Sequence, residues 1–283
     1  MWTNLHTHSN YCDGKSSLKE VVESALSKNM ISLGFSSHAP LPFRSPWCMK
    51  MENLENYLLE IDQLKKDTQQ LQIYSGLEVD YIPGKISPLD FRKQLDYTIG
   101  SVHFAESFSD GRGWEIDGSE ATFKEGYEQI FKNDIQAVII RYFELTREMI
   151  DKGCPDIIGH LDKIKMQNKF TAYFDESEKW YRTEVIKTIN IIRDSAAVVE
   201  VNTRGIYQKK TSTTYPSPWI LELLHEQRIP ITISSDAHHP DDLINQFPET
   251  AKLLLSIGFK KIRILLDGRW QDVPFDQHGV KLN

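Results

Sequence analysis

The chain has 283 residues, 40% of them hydrophobic, and a net charge of −7, which is typical of a globular α/β protein. No apolar run approaches the ~20 residues of a membrane helix, and no basic segment precedes an apolar run at the N-terminus, so we expect neither a membrane anchor nor a signal peptide. The acidic balance lacks the basic footprint that nucleic-acid binding usually leaves. Three cysteines without C-x-x-C spacing indicate free thiols in a reducing cytoplasm.

Short apolar runs alternate with longer segments of helical periodicity along the chain. The runs predict strands at residues 2–5, 31–36, 73–79, 97–102, 157–159, 198–202, 231–234 and 261–266. The periodic segments predict helices at residues 17–29, 52–70, 121–132, 138–152, 176–194, 218–227 and 248–257. Ser17 and Glu20 form a capping box before the first helix, and Gly258 ends the last one.

This alternation of near-continuous apolar strands with helices favours parallel strands buried under helices. Seven or eight such units fit a (β/α) barrel better than an open sheet, although the sequence leaves closure of the barrel open. We therefore expect a single domain over residues 1–283, with a polar, loosely structured tail at residues 270–283.

Most predicted strands end in a side chain that can bind a metal ion. His6 and His8 stand two residues apart, so on a strand both imidazoles face the same side. In a barrel the carboxyl ends of all strands open onto one face, where active sites are built. Six of the nine histidines and two carboxylates occupy such ends: His6, His8, His38, Glu78, His103, His160, Asp236 and His238. A single histidine is more often a core or capping residue, but this set favours a shared site.

Imidazole and carboxylate ligands suit zinc, manganese or iron, and they are too nitrogen-rich for magnesium alone. With Asp13 the candidates exceed the positions around one ion, so the sequence predicts a cluster of two or three ions. We place the remaining histidines elsewhere: His225 on a helix surface, His239 facing away from its neighbour, and His278 in the tail.

The candidate ligands resemble the metal motifs of the PHP (polymerase and histidinol phosphatase) superfamily: His6-x-His8, Asp13, His38, Glu78, His103, His160 and Asp236-x-His238. Longer strings are similar to its histidinol-phosphate phosphatase branch: SHAPLPF at 37–43, GLEVD at 76–80, GSVH at 100–103, GHLD at 159–162 and SDAH at 235–238. The resemblance extends over nearly the whole chain up to about residue 260. Some branches carry a histidine near position 13, where this chain has Asp13, so this ligand assignment is the weakest.

The resemblance implies a distorted, TIM-like (β/α)7 barrel that holds three divalent ions. Carried over by position, the ligands are His6, His8, Glu78 and Asp236 for the first ion, Glu78 as a bridge with His103 and His160 for the second, and Asp13, His38 and His238 for the third. The implied activity is hydrolysis of L-histidinol phosphate to L-histidinol and phosphate, a step of histidine biosynthesis. A hydroxide activated by the metal ions would attack phosphorus, and Asp236 or His238 would pass a proton to the leaving alcohol.

Candidate contacts to the substrate are less distinctive than the metal motifs. Arg204 follows the strand at 198–202 and is expected in the barrel mouth, where its guanidinium could bind two phosphate oxygens. Lys210 and Ser101 are further candidates, and the alternative for each is a surface or structural residue. The segment 104–118 predicts a rim or lid over the site, or an ordinary long connection. Loop aromatics that could cradle an imidazole ring are Phe43, Trp47 and Tyr207.

Three other functions are alternatives to a phosphatase that acts on a small phosphate ester. A PHP-type exonuclease or nucleotide phosphodiesterase is disfavoured by the acidic balance. A metal-dependent amidohydrolase also begins with His-x-His, but it usually has a bridging lysine, and Lys163 follows His160 too late to fill that place. A structural metal-binding protein would have no reason to gather so many ligands at one barrel mouth. The oligomeric state is left open.

Overall fold

A computed structural model describes residues 1–282 of the chain. Its strands are β1 (Thr3–Asn4), β2 (Ser32–Phe35), β3 (Gln72–Asp80), β4 (Tyr97–Ser101), β5 (Phe104–Ser107), β6 (Gly113–Glu115), β7 (Ile157–Ile158), β8 (Val198–Asn202), β9 (Ile231–Ser234), β10 (Lys261–Leu266), β11 (Arg269–Asp276) and β12 (Gly279–Val280). Its helices are α1 (Leu18–Ser27), α2 (Leu54–Asp67), α3 (Glu120–Gln129), α4 (Ile135–Glu148), α5 (Lys179–Arg193), α6 (Arg204–Tyr207), α7 (Pro218–Glu226) and α8 (Phe247–Ile257).

Seven of the described strands form a parallel sheet in the order β1-β2-β3-β4-β7-β8-β9. A parallel bridge between Thr7 and Ala237 joins the two outer strands just beyond their carboxyl ends. There His8 N donates to the Ala237 carbonyl at 2.8 Å, and Ala237 N donates to the His6 carbonyl at 3.1 Å. The predicted distorted (β/α)7 barrel is therefore confirmed, and its closure depends on the backbone of the His6-x-His8 motif itself.

The Tyr97 side chain crosses the interior of the barrel. Its hydroxyl donates to the backbone carbonyls of Leu5 at 2.5 Å and Phe35 at 3.1 Å. A Cβ atom at Gly34 on β2 or at Gly76 on β3 would overlap the Tyr97 ring or hydroxyl. These two glycines therefore allow a large aromatic side chain to cross the barrel, which fixes the strands around it.

The predicted helices are present with their ends shifted by a few residues. The capping box before α1 is confirmed: Glu20 N donates to Ser17 Oγ at 3.3 Å, and Ser17 N donates to the Glu20 carboxylate at 2.8 Å. The short helix α6 and the antiparallel pair β5–β6 were not expected. Within residues 1–282, no helix is both long and apolar enough to cross a membrane.

The C-terminal residues form an ordered sheet, so the expectation of a loosely structured tail at 270–283 is wrong for the described part. β10, β11 and β12 pair antiparallel, and Val273, Phe275 and Val280 are buried in the same apolar cluster as the barrel helices. Val280 N donates to the Met1 carbonyl at 2.9 Å, so this sheet lies at the amino end of the barrel. The tail looks polar on average because only alternate residues of β11 face the core.

Replacing Phe275 with alanine tests this arrangement. We expect Phe275→Ala to lower the free energy of unfolding by about 3 kcal/mol, because a buried aromatic side chain leaves a cavity when it is truncated. Gln277→Ala, an exposed change in the adjacent turn, should stay within about 0.5 kcal/mol of the parent. Urea unfolding monitored by circular dichroism measures both, and equal stability of the two variants would contradict an ordered tail.

Candidate metal centre

Side chains from six of the barrel strands, or from the turns that follow them in the sequence, converge at the carboxyl end of the sheet. The converging residues are His6, His8 and Asp13 after β1, His38 after β2, Glu78 on β3, His103 after β4, His160 after β7, and Asp236 and His238 after β9. All but Asp13 and His238 are buried. The structure thus brings together every residue that the sequence predicted as a ligand, while their coordination of an ion stays a prediction.

The Glu78 carboxylate lies at the middle of this group. Its Oε1 atom accepts a hydrogen bond from Ser101 Oγ at 2.6 Å and lies 2.8 Å from His160 Nε2. Further imidazole nitrogens surround the carboxylate. Its Oε2 atom lies 3.0 Å from His38 Nδ1, 3.2 Å from His6 Nε2 and 3.5 Å from His8 Nε2, and its Oε1 atom lies 3.5 Å from His103 Nε2. Ser101, which the sequence offered as a substrate contact, is instead buried behind Glu78 and is absent from the cavity wall.

Two further carboxylates complete the centre. Asp236 Oδ1 lies 3.2 Å from His8 Nε2, 3.4 Å from His238 Nδ1 and 3.5 Å from Arg204 Nη1. Asp13 Oδ2 lies 3.2 Å from His238 Nε2, while its Oδ1 lies 3.8 Å from His38 Nε2. Asp13, the weakest assignment from the sequence, therefore reaches the centre from the turn after β1.

Eight of the nine candidate ligands, all except His160, fall into three groups that could each hold an ion. Within each group the atoms lie within 4.8 Å of one another, and the groups are His8, Asp13, His38 and His238; His6, His8 and Asp236; and His38, Glu78 and His103. Several of these buried atoms have no hydrogen-bond partner among the described residues: His6 Nε2, His8 Nε2, Asp13 Oδ1, His38 Nδ1 and Glu78 Oε2. Buried polar atoms are usually hydrogen-bonded, so these unpartnered atoms fit a metal cluster.

Two buried carboxylates that the sequence analysis missed hold the imidazoles from behind. Glu200 Oε1 lies 2.5 Å from His6 Nδ1, and its Oε2 accepts from His160 N at 2.7 Å. Asp80 Oδ1 lies 2.9 Å from His103 Nδ1. Such partners orient histidine ligands and raise their basicity. The available signals were an acidic residue inside the apolar run of β8, and Asp80 two residues after Glu78 on the same strand face.

The charges of the centre are strongly coupled. Burial alone would raise the pKa of Glu78, but the surrounding imidazoles, with His6 and His38 foremost, hold it well below its usual value. Burial likewise opposes a charged His103, yet the carboxylates of Asp80, Asp117 and Glu78 together outweigh it and raise the pKa of His103 to about 9. For His38, burial dominates and lowers the pKa well below its usual value. The centre therefore keeps charged carboxylates beside a mixture of neutral and charged imidazoles.

The cavity in front of the centre has a volume of about 200 Å³. Arg204 and Lys210 line it, as the sequence predicted, together with Lys163. The sequence suggested Lys163 only as a candidate bridging lysine; in the structure, a turn closed by the hydrogen bond from Lys163 N to the His160 carbonyl at 2.9 Å leads into a 3-10 helix at Lys163–Lys169 and brings this side chain to the cavity wall. Lys163 Nζ lies 3.2 Å from His103 Nε2 and 2.9 Å from Asp117 Oδ2.

Lys163 does not resemble the bridging lysine of an amidohydrolase. Burial opposes its charge, but Asp117 and the other carboxylates outweigh burial and raise its pKa above the usual value. A bridging lysine must lose its proton before it is modified, and an ammonium ion paired with Asp117 holds that proton. The amidohydrolase interpretation is therefore disfavoured for a different reason than the sequence suggested.

The segment 104–118 forms one side of the cavity rim, through Glu115, Asp117 and Gly118. The Trp47 indole lines the same side, donates to Glu115 Oε1 at 2.9 Å and stacks on Phe104 with ring centroids 5.7 Å apart. Movement of this segment as a lid stays a prediction. Other residues singled out in the sequence lie away from the cavity wall: Phe43, Tyr207, His225, His239 and His278.

Comparisons with known proteins agree with this fold and site. The sequence profile of the PHP domain family matches residues 4–204. A histidinol-phosphatase of Bacillus subtilis is 31% identical over 258 residues, which cover 84% of this chain and 94% of the relative. A protein of Deinococcus radiodurans named as a probable histidinol-phosphatase is 27% identical over 264 residues, covering 91% of this chain and 94% of the relative.

Among solved structures, the histidinol phosphate phosphatase of Lactococcus lactis, complexed with zinc, L-histidinol and phosphate, has a similar fold. The TM-score is 0.69 at 21% identity, and the alignment covers 99% of both chains. The profile match and the Bacillus subtilis relative establish that the chain belongs to the PHP domain family.

Proposed function

We propose that the chain is a metal-dependent phosphomonoesterase that hydrolyses L-histidinol phosphate to L-histidinol and inorganic phosphate, a step of histidine biosynthesis. One observation carries the proposal: unpartnered imidazole and carboxylate atoms are gathered at a single cavity, whose wall carries Asp13 and His38 of this group together with Arg204, Lys163 and Lys210. Similarity to the Bacillus subtilis histidinol-phosphatase over 94% of its length selects the substrate within the family.

The centre is proposed to hold three divalent ions, with zinc, manganese or iron as candidates. Imidazole-rich sites suit these metals, and zinc is the ion in the Lactococcus lactis structure. The proposed ligands are those predicted from the sequence: His6, His8, Asp13, His38, Glu78, His103, His160, Asp236 and His238. When bound, such ions supply an activated water and the positive charge that phosphoryl transfer requires.

Cationic side chains on the cavity wall are proposed to hold the phosphate group. Arg204 is mostly buried and is fixed by hydrogen bonds of its Nη1 to His238 and to the Asp236 carbonyl, so its guanidinium is preorganised for phosphate oxygens. Lys163 reaches the same cavity from the opposite side, beside His103. Lys210 lines the cavity without an ion pair among the described residues. Together these groups balance the negative charge that a phosphate ester brings into a carboxylate-rich site.

Asp236 and His238 are proposed to handle the leaving group. Both line the cavity, so a proton held by either group lies within reach of a leaving oxygen bound there. Passing that proton to the leaving oxygen releases the alcohol. On the opposite rim, Glu115 and Asp117 give the cavity an acidic side that suits the amine and imidazole of histidinol, while Trp47 offers an aromatic edge.

We further propose that the whole chain works as a single domain and that the enzyme is cytoplasmic. Buried residues of β10, β11 and β12 share one apolar cluster with those of β8 and β9, which supports a single domain. Cys12, Cys48 and Cys154 are all free thiols, which supports a reducing compartment. The proposed partner is a small phosphate ester, and the net charge of −7 disfavours a nucleic-acid substrate.

A substrate panel tests the activity. We expect phosphate release from L-histidinol phosphate, at least about 100-fold slower release from nucleoside monophosphates, and no cleavage of single-stranded DNA, since only the first offers a cationic group to the acidic rim. Removing metal with a chelator should abolish the activity, and added zinc or manganese should restore it. Faster turnover of a nucleotide or of DNA would favour the nuclease alternative.

Substitution of single ligands tests the centre. We expect His103→Ala and Asp236→Asn each to lower kcat by about 10³-fold or more, because each removes a group from a charge-stabilising site, while circular dichroism remains that of the parent. His239→Ala is the matched control, since His239 is exposed and follows His238 directly; it should keep full activity. Near-parental turnover of either ligand variant would refute the ligand assignment.

The carboxylate behind His6 provides a separate test. Glu200→Gln should weaken metal binding by about 10–100-fold, because it removes the charge that orients this imidazole. Glu184→Gln is the control: Glu184 is a buried carboxylate paired with Arg147 at 3.0 Å, away from the centre, so it should leave metal affinity unchanged. Competition with a chromophoric chelator measures both, and equal affinities would remove Glu200 from the metal centre.

A further inference from the structure

A second, larger cavity lies at the other end of the barrel. Its volume is about 580 Å³, against about 200 Å³ at the metal centre. Its walls come from the turns that precede β7 and β8, and from β10 and β11. Because these turns lie at the amino ends of the parallel strands, the cavity is separated from the metal centre by the length of the sheet. Its size falls within the range of about 300–1,000 Å³ that is usual for small-molecule sites.

The cavity combines an apolar floor with a charged rim of both signs. The floor is formed by Ile150, Pro155, Ala197, Val198 and Trp270. The rim carries Arg92, Arg263, Asp151, Asp156 and Asp194. A few polar groups that converge on an apolar pocket are the usual composition of a ligand site. Charges of both signs favour a ligand that itself carries both, over a simple anion or cation.

The rim offers one cationic and one anionic group with capacity for a ligand. Arg92 donates to Asp156 Oδ1 through Nη2 at 3.2 Å and to the Cys154 carbonyl through Nη1 at 3.4 Å, but its side chain is 49% exposed and lines the cavity. Its guanidinium can therefore donate two hydrogen bonds to the carboxylate of a ligand. Asp151 is exposed and has no ion pair within residues 1–282, so its carboxylate can receive an ammonium group.

The Trp270 indole supplies a flat apolar surface between these charges. It packs against the barrel-interior cluster that includes Tyr97 and Leu265, which fixes its position, and it lines the cavity. Its Nε1–H donates to no group within the described part of the chain. A ring or branched apolar group placed there would bury its own surface without displacing protein atoms.

We propose that this cavity binds a small zwitterion of the amino-acid type. Its carboxylate contacts Arg92, its ammonium group contacts Asp151, and its planar or apolar side group lies against Trp270. The site is independent of the metal centre, and the proposal does not rest on the proposed phosphatase activity.

Isothermal titration calorimetry on the metal-loaded full chain tests the proposal, with the common amino acids and L-histidinol as individual probes. We expect at least one amino acid with a ring or branched side chain to bind saturably, with one site per chain. Arg92→Gln and Asp151→Asn should each weaken that binding at least tenfold. Both positions are exposed, so the variants should fold as the parent does.

Two controls separate this cavity from other sites. Lys93→Gln removes a neighbouring exposed charge outside the cavity wall and should leave binding unchanged. Asp236→Asn alters the metal centre and should also leave binding unchanged. The proposal is overturned if no amino acid binds saturably, if binding persists in both rim variants, or if Asp236→Asn abolishes it, which would place the probe in the catalytic cavity.

Discussion

The buried carboxylate of Glu78 is the interaction on which the functional end of the barrel depends. Its oxygens lie between 2.8 and 3.5 Å from imidazole nitrogens that follow β1, β2, β4 and β7. Removing a carboxylate from water costs several kcal/mol unless positive charge compensates it. That charge can come only from side chains at the ends of other strands or from bound cations. The geometry of the rim is therefore set by the need to surround one anion from several directions.

Local backbone strain accompanies this convergence. His160 has a φ of 22° and Asp236 a φ of 52°, both in the left-handed region that residues with a side chain seldom adopt. Each such conformation costs about 1–3 kcal/mol and persists only where the surroundings enforce it. At His160 that enforcement is visible, because its backbone N–H donates to Glu200 at 2.7 Å. The strain turns side chains inward where a regular strand would alternate them between the two faces.

Much of the rim could be predicted from the sequence, because parallel strands expose their carboxyl ends together and each end carries a recognisable ligand type. The supporting groups were harder to predict. Glu200 and Asp80 lie inside apolar runs. Their role depends on which imidazole each carboxylate contacts, and the order of the strands in the sheet decides that. Lys163 was not predicted to line the cavity, because the tight turn that follows His160 has no signal in the hydrophobic periodicity. Of the C-terminal sheet only β10 was predicted, because the alternating pattern of β11 has a polar average.

Two strands of the barrel, β1 and β7, are unusually short. β7 consists of Ile157 and Ile158 alone, so Asp156 at its base and His160 at its carboxyl end are four residues apart. The Asp156 carboxylate also accepts hydrogen bonds from Thr98 N at 2.9 Å and Thr98 Oγ1 at 3.0 Å, which ties it to β4 and hence to the strand that leads to His103. Arg92 Nη2 donates to the other oxygen of the same carboxylate at 3.2 Å. The Asp156 carboxylate therefore ties the amino ends of β4 and β7 together, and the carboxyl ends of the same two strands lead to the candidate ligands His103 and His160.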